Sequence, residues 1–243
     1  MQLSFEFESG NDLYLPLHYN HLIQGFIYES IDPALSAFLH DKGYEVDNRS
    51  FRLFVYSRIL GNYRINNSEE KIVFTPKIEL LIASPLDEFC LSLAKNIIRR
   101  GDLHLGKNIL HGVTYSTNSL EVNNESLVVY TQSPITVYST LFRPDQRKYT
   151  AYFQPGDPDY DRLITENLQR KYRATYQKQP PPGDVSVRAS SRLRRNIVKY
   201  KGFIIKGYSG KLFLKGPPEL LQIALDAGLG AKNSQGFGFI QKV

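Results

Sequence analysis

Pro217-Pro218-Glu219-Leu220-Leu221-Gln222-Ile223-Ala224-Leu225-Asp226-Ala227-Gly228-Leu229-Gly230-Ala231-Lys232-Asn233-Ser234-Gln235-Gly236-Phe237-Gly238 reads as a helix, a turn rich in glycine and the start of a strand. Proline at the first helical positions and glycine just past the last are the favoured ends of a helix. Glycine reaches φ > 0 and lets a ligand approach the main chain closely. A glycine-rich turn also presents backbone N–H groups, which bind phosphate oxygens. The spacing is Gly-x-Gly-x5-Gly-x-Gly, and it excludes two other phosphate motifs. The dinucleotide fingerprint needs Gly-x-Gly-x-x-Gly between a strand and a helix, whereas here the helix comes first. A Walker loop needs Gly-Lys-Ser/Thr, and Lys232 is followed by Asn233. Gly230, Lys232, Asn233, Ser234, Gly236 and Gly238 are therefore the candidate contacts of a backbone-lined phosphate site.

Working outward from this end, the same kinds of element recur along the chain. Residues 2–7 alternate apolar and polar and predict an opening strand. A helix is expected from Asn20 to about Ile31. Asp32-Pro33 then places a cap before a proline at the first helical position, starting a second helix that runs to about His40. Phe51–Tyr56 reads as a strand, with further strands through Ile82. Ser84-Pro85 caps a helix whose Leu86, Phe89, Cys90, Leu93, Ala94, Ile97 and Ile98 form an apolar stripe at helical spacing. Strands follow near 109–116 and 126–139. In the second half, strands near 133–140 and 147–153 precede a helix over 158–176 carrying Leu163, Ile164, Leu168 and Tyr172. Gln179–Gly183 is a proline-rich turn, and strands near 186–196 and 200–215 lead to the closing helix and a last strand over 236–242. Each half thus reads as β-α-β-β-α-β. The expected architecture is α+β: two tandem ferredoxin-like domains, residues 1–130 and 131–243.

Composition sets outer bounds. Charged residues are 22% and hydrophobic residues 42% of 243, ordinary for a folded domain or two. No apolar run is long enough to span a bilayer, and Met1–Glu6 lacks the pattern of a signal peptide. The single cysteine, Cys90, falls on an apolar helix face and excludes an internal disulfide. These features point to a cytoplasmic protein with no membrane partner. Net charge is +6 but unevenly spread: residues 1–50 hold eight acids and two bases, residues 185–243 eleven bases and two acids. Arg188, Arg192, Arg194, Arg195, Lys199, Lys201 and Lys206 follow one another with no acid between Val185 and Pro218. Arg192 and Arg194, at period two, would share one strand face. Such a run suits contact with a nucleic-acid backbone.

The residues that suit catalysis are few. The histidines, at 18, 21, 40, 104 and 111, form no metal-ligating pattern, and no metal or cofactor is expected. Cleavage of RNA needs neither, because its 2′-hydroxyl attacks the adjacent phosphate. It needs a base for the 2′-hydroxyl, an acid for the 5′-oxygen and a cation beside the phosphate. Tyr28 and His40 are candidates for the proton transfers. On one straight helix they would lie about 120° apart; the break at Asp32-Pro33 allows them to face one site.

Several segments together resemble a known family. They are Tyr19-Asn20-His21 with Gln24-Gly25-Phe26-Ile27-Tyr28, Leu39-His40, Arg52-Leu53-Phe54-Val55-Tyr56-Ser57, Ser133-Pro134-Ile135, and the tail Gly230–Gly238. The tail looks like the glycine-rich loop of the RAMP superfamily of CRISPR-associated proteins. The whole set resembles the CRISPR repeat-cleaving endoribonucleases that mature guide RNAs. The resemblance implies two ferredoxin-like domains and metal-independent cleavage of precursor CRISPR RNA, leaving a 2′,3′-cyclic phosphate and a 5′-hydroxyl. It places the catalytic tyrosine and histidine on Tyr28 and His40. The third residue is a lysine in many members; here Arg52 stands at that position, and Lys42 is the other choice. The implied partner is CRISPR repeat RNA, with other CRISPR effector subunits and a second copy of the chain as further partners. A non-catalytic RNA-binding RAMP subunit is the alternative reading.

Overall fold

The strand Gln2–Glu8 sits in the middle of the first sheet because Leu3, Phe5 and Phe7 point to one face and Ser4, Glu6 and Glu8 to the other. This computed structural model describes all 243 residues. In the first sheet the neighbours run Val55–Tyr56, Lys77–Ala83, Gln2–Glu8, Asn108–Asn118 and Leu103–Leu105, all antiparallel. In the second they run Ser186–Ala189, Lys211–Lys215, Ser126–Thr131 and Ile240–Lys242, again antiparallel. Counted within its unit, the second order is second, third, first, fourth, the arrangement of a ferredoxin-like domain; the first is the same with the short strand Leu103–Leu105 added at the edge beside Asn108–Asn118. The helices are α1 (Asn20–Ser30), α2 (Pro33–Asp41), α3 (Asp87–Arg99), α4 (Tyr160–Tyr176) and α5 (Pro218–Ala227). No helix is long and apolar enough to cross a membrane.

Each sheet has its own core. In the first, Phe5, Phe7 and Ile82 meet Ile23 and Ile27 of α1 and Phe89 and Leu93 of α3. In the second, Val129, Val187 and Leu214 meet Ile164 and Leu168 of α4 and Leu221 and Ala224 of α5. Each fully buried Leu, Ile or Phe contributes roughly 1.5–3 kcal/mol.

Several boundaries differ from the sequence reading. The strand Ser126–Thr131, all but Thr131 assigned there to the first domain, is a central strand of the second sheet, so the sheets change between Asn118 and Ser126. The pair Val137–Phe142 and Lys148–Phe153 is a separate hairpin outside that sheet. The expected strand over 186–196 is two strands, and Arg194–Tyr200 pairs with Phe203–Ser209 in a second hairpin. The expected strand over 51–56 is broken: Arg49–Phe51 closes a small hairpin with Tyr44–Val46, and Leu53 takes φ 53 before the chain resumes at Val55. The closing strand is only Ile240–Lys242, because residues 236–239 stay in the glycine-rich turn.

Two devices join the domains. Leu53 lies in the second core, and Asp47, at the tip of the Tyr44–Phe51 hairpin, pairs with Arg173 (2.5 Å) and Arg170 (3.4 Å) of α4. From the other side the glycine-rich turn packs on α1: Asn20 Nδ2 donates to the Gln235 carbonyl (2.8 Å) and Gln24 Nε2 to the Ser234 carbonyl (2.6 Å).

Candidate active site

The break between α1 and α2 has a local cause. Pro33 starts α2, and the Asp32 carboxylate accepts from the N–H groups of Ala34 (2.9 Å) and Leu35 (3.3 Å). Such a cap contributes about 1 kcal/mol. The reversed chain brings Tyr28 near the end of α1 against His40 near the end of α2. Their ring centroids are 5.7 Å apart at 80°. Phe54 meets the Tyr28 ring edge-on at 5.6 Å and fixes it from below. His40 is open to solvent, and its Nδ1 lies 2.8 Å from Asp41 Oδ1. That contact holds the imidazole by one nitrogen and leaves Nε2 free.

Arg52 arrives from the broken strand. Leu53 turns the chain through φ 53, and the guanidinium then reaches back to His40. It donates to the His40 carbonyl (2.9 Å) and to Ser50 Oγ (2.7 Å). The same guanidinium faces Tyr28. Burial lifts the Tyr28 phenol above its ordinary value, and Arg52 opposes that rise. Lys42 caps α2, is exposed, and does not line the cleft described next.

Tyr28, His40 and Arg52 form one wall of an interdomain cleft of about 740 Å³. The opposite wall carries Lys232, Asn233 and Ser234 of the glycine-rich turn, Tyr138, and Tyr200 with Lys201 of the second hairpin. Arg49 and Lys171 also line it, and no Asp or Glu does. Tyr200 donates to Gln24 Oε1, which ties this hairpin to α1. Burial, then Tyr28, pushes the Tyr200 phenol up to about 12.

The glycines serve packing more than the sequence suggests. Gly228, Gly230, Gly236 and Gly238 all have φ near +80° and are buried. A Cβ on Gly230 would meet the Thr136 carbonyl oxygen at 2.6 Å, and one on Gly238 the Leu229 carbonyl oxygen at 2.1 Å. The N–H groups of Gly236 and Gly238 are bonded within the protein, to Asn233 and Pro134. Asn233 is itself buried, its Nδ2 donating to the Phe237 carbonyl (2.9 Å). The face left to a ligand is the short segment Lys232–Ser234.

The basic run divides. Arg188 pairs with Asp161 of α4 at 2.6 Å, so an acid distant in sequence neutralises it. Arg192 lies in the loop before the second hairpin, not on a strand face with Arg194. Arg195 and Lys199 are exposed on one face of that hairpin. Lys201 occupies its turn at φ 45. Asp41, Tyr138, Lys171 and Tyr200 were not singled out from sequence. Lys171 left a signal there: it continues the inward stripe of Ile164 and Leu168 on α4, where a lysine is out of place.

Comparison with known proteins gives concordant matches over nearly the whole chain. Residues 14–112 match the family model "CRISPR-associated protein Cas6, N-terminal", and residues 117–242 match "CRISPR associated protein Cas6, C-terminal". The CRISPR-associated endoribonuclease Cas6 2 of Methanocaldococcus jannaschii is 27% identical over 242 residues, covering 92% of this chain and 91% of the relative. The structure from a Cas6-related gene of Pyrococcus furiosus superposes with a TM-score of 0.83 at 18% identity, covering 100% of this chain and 98% of that one. A RAMP protein described as binding different RNA substrates gives 0.81 at 17% identity, covering 100% and 99%. The two structures carry the fold: both ferredoxin-like domains and their order.

Proposed function

The chain belongs to the Cas6 family, the CRISPR-associated endoribonucleases that process precursor CRISPR RNA, and we propose that it cuts without a metal ion, using Tyr28, His40 and Arg52. The observation that carries this reading is the meeting of these three side chains on one wall of a cleft lined by cations and by no acid. A phosphodiester backbone is drawn into such a cleft, and a bound strand there reaches the loop segment Lys232–Ser234.

The roles follow from protonation. The Tyr28 phenol is lifted above its ordinary value by burial, so it holds its proton at neutral pH. A phenol that keeps its proton is suited to donate it, and we assign it to the departing 5′-oxygen. His40, held through Nδ1 by Asp41, presents Nε2 as the base that takes the 2′-hydroxyl proton. The 2′-oxygen bonds to phosphorus, the bond to the 5′-oxygen breaks, and the proton from Tyr28 completes the 5′-hydroxyl. The 2′,3′-cyclic phosphate remains on the other fragment. Arg52 steadies the added negative charge on the phosphorane, a role its planar fork suits and one that needs no proton transfer.

The test is a repeat RNA carrying a single 2′-deoxy nucleotide just 5′ of the scissile phosphate, incubated in EDTA beside the all-ribose substrate. The ribose substrate is expected to be cut in EDTA, and the deoxy substrate to bind but remain whole. Cleavage of the deoxy substrate, or loss of all cleavage in EDTA with RNA still bound, would overturn the mechanism.

A further inference from the structure

Lys171 is 2% exposed and lies on α4 at the floor of the cleft. Its ammonium donates to two carbonyls of the glycine-rich turn, Gly228 (2.6 Å) and Gly230 (2.9 Å). Its third N–H has no acceptor in the protein. A buried lysine is expected to have a carboxylate partner, and this one has none. On its own helix, Glu166 is bound to Arg162 (2.7 Å) and Arg170 (3.2 Å). On α5, Glu219 is in the first turn, at the other end of the helix from Gly228, and Asp226 is held by the Met1 ammonium (2.8 Å) and Gln222 (2.8 Å). The other charged groups facing the cleft are Arg49 from the small hairpin, Arg52 just after it, His40 from α2, Lys201 from the second hairpin and Lys232 from the turn. All are basic, and Tyr28, Tyr138 and Tyr200 complete the titratable set.

We propose that Lys171 is a positioning residue of the RNA cleft, its ammonium pinning the glycine-rich turn in the form that receives RNA and taking the bound phosphates as its counter-ion. This rests on the reading that RNA occupies the cleft. The two carbonyls it holds flank Leu229 and fix where the chain leaves for Lys232–Ser234. A charge in the low-dielectric floor of the cleft interacts more strongly with a phosphate bound there than it would in water. Burial lowers the ammonium to about 7, so without RNA it is partly neutral at physiological pH. Bound phosphate restores the charge. RNA binding and protonation of Lys171 are thus one linked equilibrium.

The experiment uses the full chain carrying His40→Ala with a 2′-deoxy repeat RNA, so that nothing is cut and His40 cannot titrate. Titration calorimetry in buffers of different ionisation enthalpy measures protons taken up on binding, from pH 6.5 to 8.5. Net uptake is expected above pH 7, with Kd weakening by roughly three- to tenfold per pH unit. Adding Lys171→Met should abolish most of that uptake, flatten the pH dependence and weaken binding at pH 6.5 by about tenfold or more. Adding Lys171→Arg, which keeps the charge, should restore affinity at pH 8.5 while removing the proton uptake. Uptake and affinity unchanged by Lys171→Met would overturn the proposal. So would the absence of proton uptake in the His40→Ala protein, a measurement that stands even if Lys171→Met fails to fold. Arg49→Ala with Lys232→Ala separates the two readings. If that variant loses RNA affinity while Lys171→Met does not, the cleft reading survives and the lysine proposal fails. If neither loses affinity, RNA lies elsewhere and both fail.

Discussion

Tyr28 and His40 lie on different helices with ring centroids 5.7 Å apart, and Arg52 bonds to the backbone of one while facing the side chain of the other. A tyrosine kept protonated beside a histidine with one free nitrogen is an acid–base pair. His40→Ala should slow cleavage by roughly 10²–10⁴-fold and Tyr28→Phe by less. The assignment of roles has a sharper consequence. A substrate with sulfur replacing the bridging 5′-oxygen releases a thiolate, which needs no proton. Tyr28→Phe should cut that substrate about as fast as the native enzyme, and His40→Ala should not. The opposite pattern of rescue would exchange the two roles.

The pH profile follows from the same pair. A base must be unprotonated, so kcat/KM should fall once the pH is low enough to protonate it. The acid must be protonated. Since Tyr28 is shifted upward, no descending limb due to it should appear below about pH 10. A fall in rate between pH 7 and 9 would exclude Tyr28 as the donor.

Asp41 holds Nδ1 of His40 at 2.8 Å from an exposed position. Asp41→Asn keeps the shape and removes the charge that favours one tautomer. A reduction in kcat of about three- to thirtyfold is expected, with RNA affinity unchanged. This is well below the loss from His40→Ala, because an exposed pair is solvent-screened. A wild-type rate would show that the contact is incidental.

The helices were legible because apolar spacing and caps act locally: the stripe of α3, the Asp32-Pro33 break, and the prolines and glycine that bound α5. What was not legible depends on residues far apart in sequence. Leu53 reads as the middle of a strand, and only the second core, which buries it, explains its positive φ. Arg188 reads as one of a free basic run until Asp161 is found beside it. Lys171 reads as an exposed helical lysine unless its place in the Ile164–Leu168 stripe is taken seriously. That difference divides the basic run experimentally. Arg195→Ala should lower the slope of log affinity against log salt by about 0.7, the value for one phosphate on a single strand. Arg188→Ala should leave the slope unchanged, since its partner already neutralises it. Equal effects would mean that the Asp161 pair opens when RNA binds.

The glycine-rich turn can be split in the same way into a packing part and a binding part. At Gly236, φ is 83, and a Cβ would come within 2.6 Å of both Asn20 Nδ2 and Tyr56 Cε2. Neither neighbour can yield easily. Tyr56 is buried and its hydroxyl donates to the Asn20 carbonyl at 2.7 Å, and Asn20 in turn holds the Gln235 carbonyl. Valine there combines a disfavoured backbone with overpacking, roughly 2–5 kcal/mol in all. At about 2–4 °C per kcal/mol for a chain of this size, Gly236→Val should lower Tm by roughly 5–20 °C. Lys232 differs: its ammonium lies over the Tyr138 ring at 5.2 Å, at the edge of the cleft. Lys232→Ala should leave Tm within about 2 °C of the native value and weaken RNA binding with a smaller salt slope. Measured together, melting and affinity place the glycines in the scaffold and the lysine on the RNA. If Gly236→Val melts like the native protein yet binds RNA poorly, the glycine faces the ligand directly, and the packing described here is not what limits that position.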